Sequence, residues 1–418
     1  VEPTSDAILQ RLLDADGAAA VTSAAADDAS PHPSAQAELR ARFGPEGARL
    51  VLRLAEGRRK ARRKFPDADR LLFTPELAEQ ATPHPVAARR AERLAGRGPL
   101  LDLGCGAGGD LTRAALAGLS VAGLERDPLA AALARFNLAA VGGAGQVLAA
   151  EFPAAAPPPH AVLFADPARR AGARGPAGQR RLTRPEDLRP RPSELRPLLA
   201  AARAWAVKWG PGLDLSAAAM GAPGALLEGL PPSVWSLQVT SWNGAVREAA
   251  FWGGEAAAAG PEAVVLSGPV DAVRAWTSIG DPDAPPPPSS PPRDWIHEPD
   301  GALLRAGLMN HHARARGLGL LAAGIAYLTA DAPAADPGTR AWRRLETLPW
   351  SRRGLRQRLR GLDCGRVDVK VRGLDLAPER VRAGLDLRGQ RALVLILHRG
   401  DDGAVVHICL PPSEESAP

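Results

Sequence analysis

Leu100-Leu101-Asp102-Leu103-Gly104-Cys105-Gly106-Ala107-Gly108-Gly109-Asp110 decides how the chain is read. A short apolar run ends in an acid, glycines follow at alternating positions, and a helix-like segment begins. That is a strand delivering a glycine-rich turn to a helix N-terminus. The missing Cβ atoms let the backbone approach a ligand closely. The pattern suits a dinucleotide or another nucleoside cofactor equally.

Outward from this turn, the spacing predicts a βαβ succession. Strands are expected at 100–103, 120–125, 146–149, 161–165 and 204–208, with helices at about 110–117 and 128–139. Two alternating segments, 234–241 and 245–252, flank a turn at Trp242-Asn243-Gly244, a strong hairpin signal. Parallel units closed by an antiparallel hairpin describe a doubly wound α/β sheet with a reversed edge strand.

Residues 1–95 read as a helical region, with apolar periodicity over 6–14 and a Gly44-Pro45 break inside a helical stretch that runs on over 48–61. Arg58-Arg59-Lys60-Ala61-Arg62-Arg63-Lys64 carries six cations in seven residues. Such an end is either a solvated helix terminus or a contact to a phosphate backbone, with Lys60 and Arg63 as its candidates. Thr74-Pro75 signals the start of a helix running to Leu94. His84, between Pro83 and Pro85, is expected in a turn and given no catalytic role. Residues 96–280 form the α/β domain, and the proline-rich stretch 281–293 reads as a linker. Residues 294–418 read as a small α+β module. In it, helices are expected around 301–308 and 378–385, strands at 366–372 and 392–397, and the stretch 352–360 is basic.

Composition bounds the function classes. The 418 residues are 45% hydrophobic and 23% charged, ordinary for a globular protein, and no apolar run approaches the ~20 residues of a membrane span. Three separated cysteines, Cys105, Cys364 and Cys409, offer neither a disulfide framework nor a cysteine metal site, and no metal is expected. A cytoplasmic location follows as the expectation. The net charge of +6 points to a polyanionic partner, tempered by an arginine-rich coding bias that leaves only four lysines. Residues 169–196 concentrate the charge, with nine arginines against three acids, a net +6. Arg169, Arg170 and Arg174 head this stretch and are candidate RNA contacts.

Glu125 lies 23 residues after Asp102, the spacing at which an acid reaches ribose hydroxyls in such folds. Glu151 can accept from an adenine amino group, and Phe152 can pack on the ring. Here a resemblance enters. The segment from Leu101 to Asp110 is similar to the first motif of class I S-adenosylmethionine-dependent methyltransferases, and Gly123-Leu124-Glu125-Arg126-Asp127-Pro128 to their second. The resemblance implies a Rossmann-like methyltransferase sheet and S-adenosylmethionine as cofactor. It places the methionine moiety on Asp102 and the glycines Gly104, Gly106 and Gly108, the ribose on Glu125 and the adenine on Glu151. Phe73, Thr74, Cys105, Arg126 and Asp166 complete the expected cofactor contacts.

Asp166-Pro167-Ala168-Arg169-Arg170 resembles the Asp-Pro-Pro-aromatic motif of enzymes that methylate base amino groups, with Ala168 and Arg169 in place of the second proline and the aromatic. The base-stacking platform must then come from elsewhere, with Trp209, Trp242 or an arginine plane as candidates and Trp242, beside the turn, foremost. Asp166, Pro167 and Lys208 are the expected catalytic residues. Phe73-Thr74-Pro75-Glu76, Val207-Lys208-Trp209-Gly210-Pro211-Gly212, His297-Glu298-Pro299-Asp300-Gly301-Ala302 and Val369-Lys370-Val371-Arg372-Gly373 extend the likeness. They match a bacterial group related to trimethylguanosine synthase-like methyltransferases, with a C-terminal THUMP-like domain. The resemblance implies methylation of a nucleobase in RNA. A protein or small-molecule acceptor, or an RNA-binding protein with a vestigial cofactor pocket, are the alternatives.

Overall fold

The computed structural model describes residues 6–26, 32–151, 161–167, 170–171, 180–181, 188–209, 227, 230, 234–401 and 403–411. The chain divides into two compact units, the first formed mainly by residues 1–243 and the second mainly by 275–418. Among the described residues, no helix is long and apolar enough to cross a membrane.

The first unit begins with helices α1 (Asp6–Leu12), α2 (Ala15–Ala24) and α3 (Pro33–Ala61). Gly44, at φ +73°, breaks α3 where Pro45 removes an amide donor, as the dipeptide predicts. Thr74 Oγ1 accepts from the Leu77 amide and starts α4 (Pro75–Gln80). The expected single helix to Leu94 is in fact two. The chain turns at 81–83, and α5 (His84–Leu94) starts at His84, the proline after it taking the donor-free first turn. His84 therefore opens a helix rather than occupying a turn.

The α/β part alternates as the periodicity predicts: β1 (Leu100–Leu103), α6 (Gly109–Leu116), β2 (Val121–Glu125), α7 (Pro128–Ala140), β3 (Gly145–Ala149) and β4 (Val162–Ala165). Asp127 caps α7 by accepting from the Leu129 and Ala130 amides, with Pro128 in the first turn. Two short strands, β5 (Arg170–Ala171) and β6 (Arg180–Arg181), pair with each other. Helix α8 (Pro192–Ala201) leads to β7 (Ala204–Trp209), then β8 (Trp235–Trp242) and β9 (Ala245–Gly254). The strand order is β8-β9-β7-β4-β1-β2-β3. β4, β1, β2, β3 and β7 are parallel, and β9 is antiparallel to β7. Asn243 and Gly244, both at positive φ (51° and 76°), turn the hairpin tightly. Trp242 belongs to β8 rather than to the turn. The fold is mixed α/β with a large mixed sheet, preceded by helices.

Two further strands, β10 (Glu262–Ser267) and β11 (Arg274–Ile279), are neighbours. The second unit is richer in strands than the sequence suggests. Its seven-stranded sheet runs β13 (Gly319–Leu320), β14 (Leu328–Ala330), β12 (Trp295–Pro299), β15 (Thr339–Pro349), β18 (Gly403–Cys409), β17 (Arg391–Gly400) and β16 (Cys364–Arg372). The proline-rich stretch is tied to it: the Ser290 amide donates to Leu320 O, and the Leu320 amide to Pro288 O. Leu355, Leu359, Val381, Leu395 and Ile408 join one buried cluster under the helices 352–361 and 378–383.

A directed hydrogen-bond chain runs through this sheet. His398 Nδ1 lies 2.9 Å from Arg399 O, which can only accept, so its Nε2 is the acceptor for His407 Nε2, also 2.9 Å away. His407 Nδ1 then accepts from Thr347 Oγ1 at 2.8 Å. Burial, then His398 and Arg344, hold His407 down to about 3, and burial lowers His398 as well. The unfolded chain takes up these protons once pH falls below about 6.5, whereas the folded pair resists them, so stability declines as pH falls. His407 alone adds a slope approaching about 1.4 kcal/mol per pH unit in that window, and His398 acts in the same direction. Hydrogen exchange of the β17 and β18 amides, corrected for intrinsic rates, should show protection falling between neutral pH and pH near 5. Unchanged protection would contradict the neutral pair.

Candidate active site

The glycine turn forms an open cradle at the end of β1. Gly104 and Cys105 both donate backbone N–H to Leu124 O, at 2.9 and 3.0 Å, which draws the turn onto β2. Gly104 and Gly106 have φ of +92° and +56°, and a Cβ added at either would meet nothing within 4 Å. Space therefore lies directly over the backbone, where a ligand can approach. Glu125 spans the turn's rim: one carboxylate oxygen accepts from the Gly106 amide at 2.9 Å, the other from the Asp127 amide at 2.8 Å. From α7, Asn137 donates to Ala107 O and Leu72 O, each at 2.8 Å, and fixes the turn to the segment before α4.

Beneath the cradle, Asp102 is 1% exposed and neither of its carboxylate oxygens has a hydrogen-bond partner among the described residues. Burial first, then Asp110, push its carboxyl well above the usual range, against the pull of Arg90. An orphaned acid under an open glycine turn fits a ligand bringing a cation or hydrogen-bond donors, as the expected S-adenosylmethionine does. Arg90, buried on α5, pairs with both Asp110 and Glu248, and its guanidinium lies 4.3 Å from the Phe164 ring centroid. Burial raises Glu248 despite Arg90. Cys105 is buried and its thiol is pushed far up by burial, so it packs rather than reacts.

The acceptor side is built at the C-terminal ends of β4 and β7, the edge where open α/β sheets place ligands. Lys208 Nζ donates to Asp166 Oδ2 at 2.5 Å and to Thr82 Oγ1 at 3.0 Å. Burial would lower the Lys208 ammonium, but Asp166, Asp110 and Glu248 raise it, so it stays charged. Pro167 is buried beside Asp166, which is itself half-buried. Lys64 Nζ donates to Glu79 O at 2.6 Å and Ala81 O at 2.8 Å, so Lys64 and Lys208 hold consecutive residues of the segment joining α4 to α5.

The other expected residues are placed differently. Phe73 is buried against Phe65, ring centroids 5.3 Å apart, and Thr74 caps α4. Arg126 and Glu151 are exposed. Lys60 pairs with Glu56 and Glu79, while Arg63 is exposed. Trp242 is buried, donates its indole N–H to Gly268 O at 3.1 Å, and carries the Arg247 guanidinium 5.4 Å from its ring centroid. Trp209 is buried at 1% exposure. Phe152, Arg169 and Arg174 lie outside the described residues, and for Arg170 the description covers the backbone alone. Sequence reasoning passed over Arg90, Asn137, Thr82 and Glu248. Arg90 and Asn137 each carried a signal, a polar residue at a core position of a helical period; Thr82 and Glu248 carried none.

Comparisons with known proteins bear on the fold and the family. A family model described as THUMP domain-like matches residues 339–411, from β15 to β18. Two proteins of Mycobacterium tuberculosis, from strains CDC 1551 and H37Rv, are described as uncharacterized S-adenosylmethionine-dependent methyltransferases. Each is 34% identical to this chain over 380 residues, 88% of this chain and 98% of its own length. A crystal structure of a candidate methyltransferase from Porphyromonas gingivalis W83 has the same fold. Its TM-score is 0.70 at 20% identity, covering 96% of this chain and 99% of that one.

Replacing Asp102 tests the cradle. Asp102→Asn should weaken S-adenosylmethionine binding at least ~10-fold by calorimetry while thermal stability holds or rises, because a buried unpaired acid is removed. Unchanged affinity would remove Asp102 from the cofactor site.

Proposed function

The chain belongs to the S-adenosylmethionine-dependent methyltransferases, and on that premise we propose that it methylates a nucleobase of RNA. The observation that carries this reading is the Asp166–Lys208 pair, 2.5 Å apart, at the end of β4. A carboxylate held there accepts a hydrogen bond from an exocyclic amine and orients it. The THUMP-like match and the basic composition support a polyanionic acceptor, and the Asp166-Pro167 dipeptide supports a base amine. The same residues favour placing the chain beside the trimethylguanosine synthase-like group.

When bound, S-adenosylmethionine supplies a methyl group already activated by a positive sulfur. The chain's residues then need to position rather than to force the chemistry. Asp166 aligns the acceptor amine, and Lys208, itself held by Thr82, fixes the Asp166 carboxylate in direction. Buried Pro167 holds the backbone at the strand end. Asp102 and Glu125 hold the donor side from β1 and β2.

Asp166→Ala should abolish transfer to RNA while S-adenosylmethionine affinity stays within a few-fold. Lys208→Gln should lower turnover ~10²-fold or more, the scale of misplacing a positioned group. Single-turnover assays with labelled cofactor, paired with calorimetry, measure both. Collapse of cofactor affinity in Asp166→Ala would make Asp166 a cofactor residue instead of an acceptor residue.

A further inference from the structure

Three cations meet at the acceptor edge, and Asp166 directly neutralises only one of them. Lys64 follows α3 and is half-buried, with two of its three ammonium protons given to the carbonyls of Glu79 and Ala81. Lys208 is engaged by Asp166 and Thr82, the residue next to Ala81. Arg247 approaches from β9. The β7–β9 register pairs Lys208 with Ala250 and Trp209 with Ala249, so Arg247 lies two residues beyond the last paired position of β7. At about 3.3 Å per residue that is roughly 7 Å past the strand end, over the same edge as Asp166. Its side chain is exposed and backed by the Trp242 indole, and no carboxylate among the described residues pairs with it. The Glu79 carboxylate, whose charge acts on Lys64, is held by Lys60 at 2.6 Å.

We propose that Lys64 and Arg247 form a clamp for a phosphodiester of single-stranded RNA, beside the Asp166–Lys208 pair. The inference rests on the reading of RNA as acceptor and adds a residue-level contact to it. Lysine offers a compact charge with one proton still free, and arginine a planar fork suited to two phosphate oxygens. The Trp242 indole, 5.4 Å from the guanidinium, restricts that fork, so less side-chain freedom is lost on binding. Burial, then Lys208 and Arg247, depress the Lys64 ammonium to about 8, a repulsion that an arriving anion relieves. A phosphate gripped here would leave its neighbouring base facing Asp166.

The test is fluorescence anisotropy of a short labelled oligoribonucleotide over a salt series, with wild type, Lys64→Gln, Lys64→Arg and Arg247→Gln. The plot of log affinity against log salt should flatten for Lys64→Gln and for Arg247→Gln, each by up to about 0.7, the increment of one phosphate contact, and Lys64→Arg should restore the wild-type slope. S-adenosylmethionine affinity should stay unchanged in all three variants. Arg247→Gln, at an exposed position, keeps the test valid if Lys64→Gln fails to fold. Wild-type binding with unaltered slopes in the variants overturns the clamp and leaves the RNA reading standing. Wild-type binding to an acidic peptide but to no RNA overturns both.

Discussion

The site depends on an imbalance of buried charge. Asp102, Asp110, Asp166 and Glu248 gather at one end of the sheet, and Arg90 and Lys208 are the cations set among them. Arg90 neutralises Asp110 and Glu248 together, so removing it would strand two acids and cost roughly 3–5 kcal/mol. Lys208 neutralises Asp166. Among the described residues Asp102 is left unpartnered beneath the glycine turn, with its carboxyl driven upward by burial. A site with this surplus of acid favours a cationic cofactor, whose charge would oppose the upward push on the Asp102 carboxyl.

The helices before the sheet complete this arrangement. Arg90 comes from α5 and Thr82 from the segment between α4 and α5, while Leu72 and Ala107 are joined through Asn137. Ala107 and Leu133 share a buried cluster with Leu54, Phe65 and Phe73. The N-terminal helices therefore set the geometry of the cradle and of Asp166. A methyltransferase core cut from residue 96 onward would lose the Arg90 counterion and the Thr82 brace, and with them both sides of the site.

Much of this architecture is legible in the sequence because its signals are local. The run from Leu100 to Leu103, the Asp127-Pro128 cap and the Asn243-Gly244 turn each settle their own conformation within a few residues. The second unit was harder to read. β15 carries three arginines and a glutamate in eleven residues, which masks its alternation, and β12, β14 and β18 are short or lie beside turns. The site's ion pairs were invisible for another reason: Arg90 meets Glu248 across 158 residues and Lys208 meets Thr82 across 126. Nothing local marks such partners. Trp242, chosen for its place beside a turn, is drawn inward because its indole N–H finds Gly268 O.

Membership of the methyltransferase family leaves the acceptor as the central question, and it is accessible directly. Total RNA from cells with and without this protein can be digested to nucleosides and compared by mass spectrometry. One methylated nucleoside should disappear with the protein and return with the wild-type chain but not with Asp166→Ala. Identical nucleoside profiles in both RNAs would contradict the assignment of RNA as the acceptor.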